Sequence, residues 1–124
     1  MYRFIFTLAF TLLFSSCYTP ERNCADFKNG SFTFTTELNG VKETTRFTRN
    51  GEIEIDYYQG KADSASIRWI NDCEYVVKKL HPKNRAEEKP VHMKIVSTAS
   101  DRYVFEYSIV GDSKKLRGTA IKTN

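Results

Sequence analysis

The sequence predicts an all-β fold: an eight-stranded antiparallel up-and-down meander that closes into a small barrel. Three observations predict it. From Ser31 to the C-terminus, apolar and polar residues alternate with a period of two in one segment after another. Most breaks between these segments are short and rich in Gly, Asn and Asp. No stretch carries a sustained helical period; residues 84–89 make one or two helical turns at most. Short, uniform connections favour a meander over a Greek key, which needs one long crossing connection. Closing the meander removes the two exposed edges it would otherwise present. An open curled sheet or a two-layer sandwich satisfies the same pattern.

The strands follow in order. SFTFTTEL (31–38) alternates Phe32 and Phe34 with Thr33 and Thr35. Asn39-Gly40 is a hairpin signal, because both central positions of the favoured turn need φ > 0. VKETTRFT (41–48) returns, and RNGE (49–52) turns again. In IEIDYY (53–58), Ile53, Ile55 and Tyr57 are expected inward, with Glu54, Asp56 and Tyr58 outward. QGKAD (59–63) turns. SASIRWI (64–70) points Ala65, Ile67 and Trp69 inward, and after Asn71-Asp72 the chain returns through CEYVVKKL (73–80). A polar loop covers 81–90. VHMKIVST (91–98), RYVFEYSIV (102–110) and KLRGTAIK (115–122) complete the set, with Tyr103, Phe105, Tyr107 and Ile109 in phase.

The first 16 residues differ in character. MYRFIFTLAFTLLFSS has one cation, Arg3, then a run of apolar residues and threonine from Phe4 to Phe14. As a helix that run would span roughly 16 Å, about half of a bilayer's hydrocarbon core. It is too short to cross and suits the apolar region of a secretion signal. Residues 1–16 are therefore expected to be a signal peptide, 17–30 a tether and leading loop, and 31–124 the barrel domain. Phe14-Ser15-Ser16-Cys17 resembles the lipobox of bacterial lipoproteins, in which the cysteine is acylated and becomes the mature N-terminus. On that reading Cys17 carries the lipid, which anchors the protein to a membrane without a protein span. An ordinary signal peptide would leave Cys17 as a plain thiol or a disulfide partner.

Of three cysteines, lipidation of Cys17 leaves Cys24 and Cys73. An exported compartment permits a disulfide between them; two buried thiols are the alternative. The meander supports the bridge. The start of the first strand and the turns at 49–52, 71–72 and 99–101 all fall at one end of the barrel. Cys24 and Cys73 therefore meet there, and Cys17 leaves from the same end. The turns at 39–40, 59–63 and 111–114 and the loop 81–90 lie at the other.

The chain has 124 residues, enough for one domain, and 14% aromatics, enough for one small core. Without residues 1–16 it keeps 18 Lys+Arg against 15 Asp+Glu. That weak basic bias argues against nucleic-acid binding, which concentrates far more positive charge on one face. No serine elbow, glycine-rich phosphate loop or metal-ligand spacing occurs, so neither an enzyme nor a cofactor is expected. Glu52, Glu54 and Asp56 read as solvated charge. Two features carry possible function. Across the Asn39-Gly40 hairpin, Glu43 falls on the face of Phe32, Phe34 and Phe47, where a carboxylate needs a partner or an open, wet mouth. It would be the polar handle of a ligand cavity lined by Phe34, Tyr57, Trp69, Phe105 and Tyr107. The other is a basic contact loop, His81, Lys83, Arg85 and Lys89, facing an envelope protein or an anionic glycan. Set against the cavity, a barrel of this size is just wide enough for its own side chains to fill.

CYTPERNCADFKNGSF, SIRWINDCEYVVKKLHPKNRAEEKPVHMKI and YVFEYSIVG together resemble a family of short lipoproteins of Gram-negative bacteria, over essentially the whole chain. NDCEY and HPKN are the most distinctive segments. Members are often labelled "DNA topoisomerase IV", yet the residues from Cys17 onward leave no room for an ATPase domain, an acidic metal site and a DNA gate. The resemblance implies a cell-envelope location, most simply the outer membrane, and no particular activity. The layout also resembles lipocalin-type meanders, which bears on fold alone.

Overall fold

The computed structural model describes residues 22–124; the expected signal peptide and Cys17 lie outside them. Eight strands form one closed antiparallel barrel in chain order: β1 (Gly30–Leu38), β2 (Val41–Asn50), β3 (Ile53–Tyr58), β4 (Lys61–Asn71), β5 (Glu74–Lys79), β6 (Val91–Thr98), β7 (Arg102–Ile109) and β8 (Leu116–Lys122). The barrel closes where Phe32, Thr33 and Phe34 of β1 pair with Lys122, Ile121 and Ala120 of β8. The Ser31 N–H donates to the Asn124 carbonyl at 3.0 Å and the Thr123 N–H to the Ser31 carbonyl at 2.8 Å. Gly30 permits this seam: its φ is +132°, and a Cβ there would lie 2.7 Å from the Asn124 oxygen.

Turn chemistry sets the register. Asn39 and Gly40 both have positive φ, as do Gln59 and Gly60, so each pair makes the tight turn that matches strand twist. The expected turn at 59–63 thereby shortens to two residues, and β4 starts at Lys61. Gly51, with φ 62°, opens a Gly51-Glu52 turn, so β2 continues through Arg49 to Asn50.

That register reverses the expected phase of β3. Phe47 faces Asp56 and Arg49 faces Glu54 across the β2–β3 ladder, while Ala65 faces Glu54 across β3–β4. Residues directly opposite share a sheet face. Because Phe47, Arg49 and Ala65 are inside, Glu54 and Asp56 are inside too, and Ile53 and Tyr57 are outside. Ile53 is 42% exposed, while Glu54 is buried. Tyr57 is not a cavity residue; its ring lies beneath the Arg46 guanidinium on the outer face, 4.4 Å from centroid to Cζ.

The packed core fills one end, the base. Phe27, Phe32, Tyr75, Ile95 and Tyr103 are almost wholly buried there. Phe32 and Phe47 stack at 5.0 Å, and Phe27 meets Tyr103 at 5.1 Å. Phe27 comes from a 3₁₀ turn, Cys24–Phe27, that plugs the base. Cys24 and Cys73 are joined by a disulfide with their Cα atoms 5.2 Å apart. Lys28 pairs with Asp72 beside it at 2.9 Å, and Lys122 donates to the Asp26 carbonyl at 2.8 Å. The last residues of the expected leading loop are thus part of the folded domain.

Candidate functional site

Above this base the barrel is hollow. A cavity of about 510 Å³ opens at the end that carries the 39–40, 59–60, 80–90 and 110–115 connections. The interior is not filled by its own side chains. Phe34, Val77, Val91, Met93, Phe105, Tyr107 and Ile109 give it apolar walls. Room for Phe105 comes from the adjacent strand, β8. Gly118 faces it, and a Cβ there would stand 2.7 Å from the ring.

The floor is a charged cluster. Arg49 is 3% exposed, and its three guanidinium nitrogens are all engaged. Nη1 donates to the Phe27 carbonyl at 2.8 Å. Nη2 donates to Glu54 Oε1 at 2.9 Å, to the Tyr75 hydroxyl at 2.9 Å and to the Tyr103 hydroxyl at 3.2 Å. The guanidinium also sits over the Tyr75 and Phe32 rings, 4.8 and 5.2 Å from their centroids. Burial opposes its charge, but Tyr75, Tyr103 and Glu54 outweigh burial and hold Arg49 above the ordinary guanidinium range. Burial likewise pushes the Tyr75 and Tyr103 hydroxyls up, so both stay neutral while they accept from Arg49.

One wall is acidic. Asp56 stands one inward position above Glu54 on β3 and makes no ion pair among the described residues. Burial raises its carboxyl to about 7, helped by the negative charge and hydrogen-bonding oxygen of Glu54 and by Asp63; Arg49 pulls it only partly back. Tyr58 is next toward the mouth, and its hydroxyl donates to the Glu43 carboxylate. That hydrogen bond holds the Tyr58 proton and raises its pKa.

The 80–90 loop folds across the mouth. It contains a one-turn helix, α1 (Arg85–Glu88), started by the Asn84 side chain, which accepts from the Glu87 N–H. Glu87 in turn accepts from the Lys83 N–H at 2.8 Å and from Lys79 Nζ at 2.6 Å. Lys79 also pairs with Asp63 at 3.2 Å. Ala86, Glu87 and Lys89 consequently form part of the cavity wall.

Of the sequence-predicted cavity residues, Phe34, Phe105 and Tyr107 line it, and Glu43 sits at its rim through Tyr58. Trp69 lies below the floor, packed on Tyr75 at 4.5 Å with Lys28 over its ring, and Tyr57 is outside. Of the contact-loop residues, Lys89 borders the cavity, while His81, Lys83 and Arg85 are exposed. The reading of Glu54 and Asp56 as solvated charge is corrected: both face the cavity. Strand alternation alone does not find Arg49, Glu54 and Asp56, because it places Arg49 in a turn and phases β3 by its isoleucines. Compared with known proteins, the chain matches no family model, no curated protein and no solved structure. Among the described residues no cluster of His, Cys, Asp and Glu is placed to hold a metal ion.

Proposed function

We propose that this chain is a lipid-anchored lipoprotein of the Gram-negative cell envelope whose barrel binds a small apolar or amphipathic ligand. The observation that carries the binding reading is the cavity. Its volume of about 510 Å³ falls in the range of small-molecule sites, and apolar walls surround a few convergent polar groups. The lipobox-like Ser15-Ser16-Cys17 supports the anchor, and the resemblance to short envelope lipoproteins supports the compartment. The tether would leave from the base, where Arg22 donates to the Ile95 carbonyl at 3.1 Å, and leave the mouth free. The reading includes no catalytic step, no cofactor and no nucleic-acid partner.

The test uses the neutral dye N-phenyl-1-naphthylamine with the mature domain. One saturable site per barrel is expected, lost in Val77→Trp, which fills the cavity, while the thermal midpoint stays within a few degrees. No saturable binding by the wild-type protein overturns the ligand reading. The anchor is tested separately. Cys17→Ser should move the protein from the membrane to the soluble fraction, and retention on the membrane refutes lipidation.

A further inference from the structure

The geometry points to a cationic amphiphile, an alkyl chain ending in a protonated amine, as the class of ligand this cavity selects, with the ammonium seated against Asp56 and Glu54 on β3. This rests on the reading of the cavity as a ligand site and says which head group it takes.

Three observations support it. First, the buried cation of the floor is already paired: the Arg49 guanidinium holds Glu54 as its counter-charge, and each of its three nitrogens donates to Glu54, Phe27, Tyr75 or Tyr103. A carboxylate or phosphate head lowered to the floor would meet a cation already neutralised by Glu54 and would face the Glu54 and Asp56 carboxyl groups. Second, Asp56 lines the cavity without an ion pair among the described residues, unlike Glu54, which Arg49 holds, and Asp63, which Lys79 holds. Third, the opposite wall, from Val91 and Met93 of β6 to Tyr107 and Ile109 of β7, is apolar and leads to the mouth. A chain lying on it would put its polar end at β3.

The charges around Asp56 come from several elements. Glu54 adjoins it on β3, Arg49 lies on β2, and Asp63 is directly opposite on β4. Lys79 on β5 is held between Asp63 and Glu87 of the loop, and Lys89 borders the mouth. The pH dependence follows. With its carboxyl near 7, free Asp56 is largely protonated at pH 5.5 and ionised at pH 8.5. An ammonium favours the ionised form, so binding at low pH must first expel a proton. The alkylamine, protonated at both pH values, should bind about 10- to 30-fold more tightly at pH 8.5.

The experiment displaces the bound dye with octylamine, octan-1-ol and octanoate at pH 5.5 and 8.5, using wild type and Asp56→Asn. Octylamine is expected to bind at least tenfold more tightly than the alcohol at pH 8.5, with octanoate weakest. Its pH dependence should vanish in Asp56→Asn, while the alcohol's affinity changes less than threefold. Octylamine no tighter than octan-1-ol, octanoate the tightest, or an unchanged pH dependence in Asp56→Asn each overturns the inference and leaves the ligand site standing. Failure of the dye and of all three probes to bind wild type overturns both. A thermal midpoint for Asp56→Asn at or above that of wild type at pH 5.5 verifies that the variant is folded.

Discussion

Arg49 is the residue on which the base depends. A buried guanidinium is tolerated only when its donors are satisfied and its charge is countered, and here Glu54, two tyrosine hydroxyls and a backbone carbonyl do both. Arg49→Met should leave Glu54 buried without a counter-charge and lower stability by about 3–5 kcal/mol. The double variant Arg49→Met/Glu54→Leu should recover much of that loss, because it removes the orphaned carboxylate as well. Urea unfolding of the two variants checks the order. Asp56 makes the opposite kind of contribution. Its carboxyl binds a proton up to about pH 7 in the folded barrel and only up to about 3.8 in the ordinary case. Between those values the folded state holds the extra proton. Stability is therefore full below about pH 4, falls as pH rises to 7 and is level beyond, with a loss of at most about 4 kcal/mol before water in the cavity screens it. Thermal midpoints from pH 4 to 9 should show that decline in wild type and a flatter profile in Asp56→Asn.

At the scale of elements, turns carry most of the information. Asn39-Gly40 and Gln59-Gly60 impose two-residue connections, and Gly51 with Glu52 makes a third. Eight strands, their order and the meeting of Cys24 with Cys73 were legible because strand alternation and short loops leave few ways to arrange a meander. The polar wall was legible only indirectly. The isoleucines of 53–58 suggest one phase, but an even-length turn after Phe47 forces the other, so register propagated from β2 would have placed Glu54 and Asp56 inside. From the other side the expected five-residue turn at 59–63 sets Ala65 opposite Tyr57, and only the two-residue Gln59-Gly60 turn brings Ala65 opposite Glu54. The size of the cavity was not legible, since it depends on how Gly118 and Ala120 of β8 let Phe105 and Phe34 settle against the wall. Gly118→Ala should drive the Phe105 ring toward the cavity, costing about 1–3 kcal/mol and weakening dye binding. Unfolding and dye titration of the same variant test both effects. The disulfide ties the plug to the β4–β5 turn across a sequence separation of 49. Cys24→Ala/Cys73→Ala should lower stability by roughly 4 kcal/mol, measured against the oxidised wild type by urea unfolding.

The whole molecule is polarised along the barrel axis. Its base combines the aromatic core, the Arg49 cluster and the disulfide, and no buried side-chain N or O atom in the described structure lacks a partner. The mouth has the cavity, exposed Tyr58, Leu80, Val110 and Leu116, and a loop held chiefly by Glu87 through Lys79 and the Lys83 N–H. Resistance to opening tracks buried apolar contact, so the two ends should open with different free energies. Native-state hydrogen exchange should show the amides of Tyr75, Ile95 and Tyr103 exchanging only by global unfolding. The Gln59–Lys61 hairpin tip and α1 should exchange by local opening that urea hardly accelerates. Glu87→Ala removes both loop anchors, so protection of residues 84–89 should fall with little change at the base. Equal loss of protection at both ends would mean that the loop is an integral part of the barrel's cooperative unit. A loop that loosens alone makes the mouth the moving part, and an occupant of the cavity would then slow exchange at α1 by closing the mouth and at the base by raising the free energy of global unfolding.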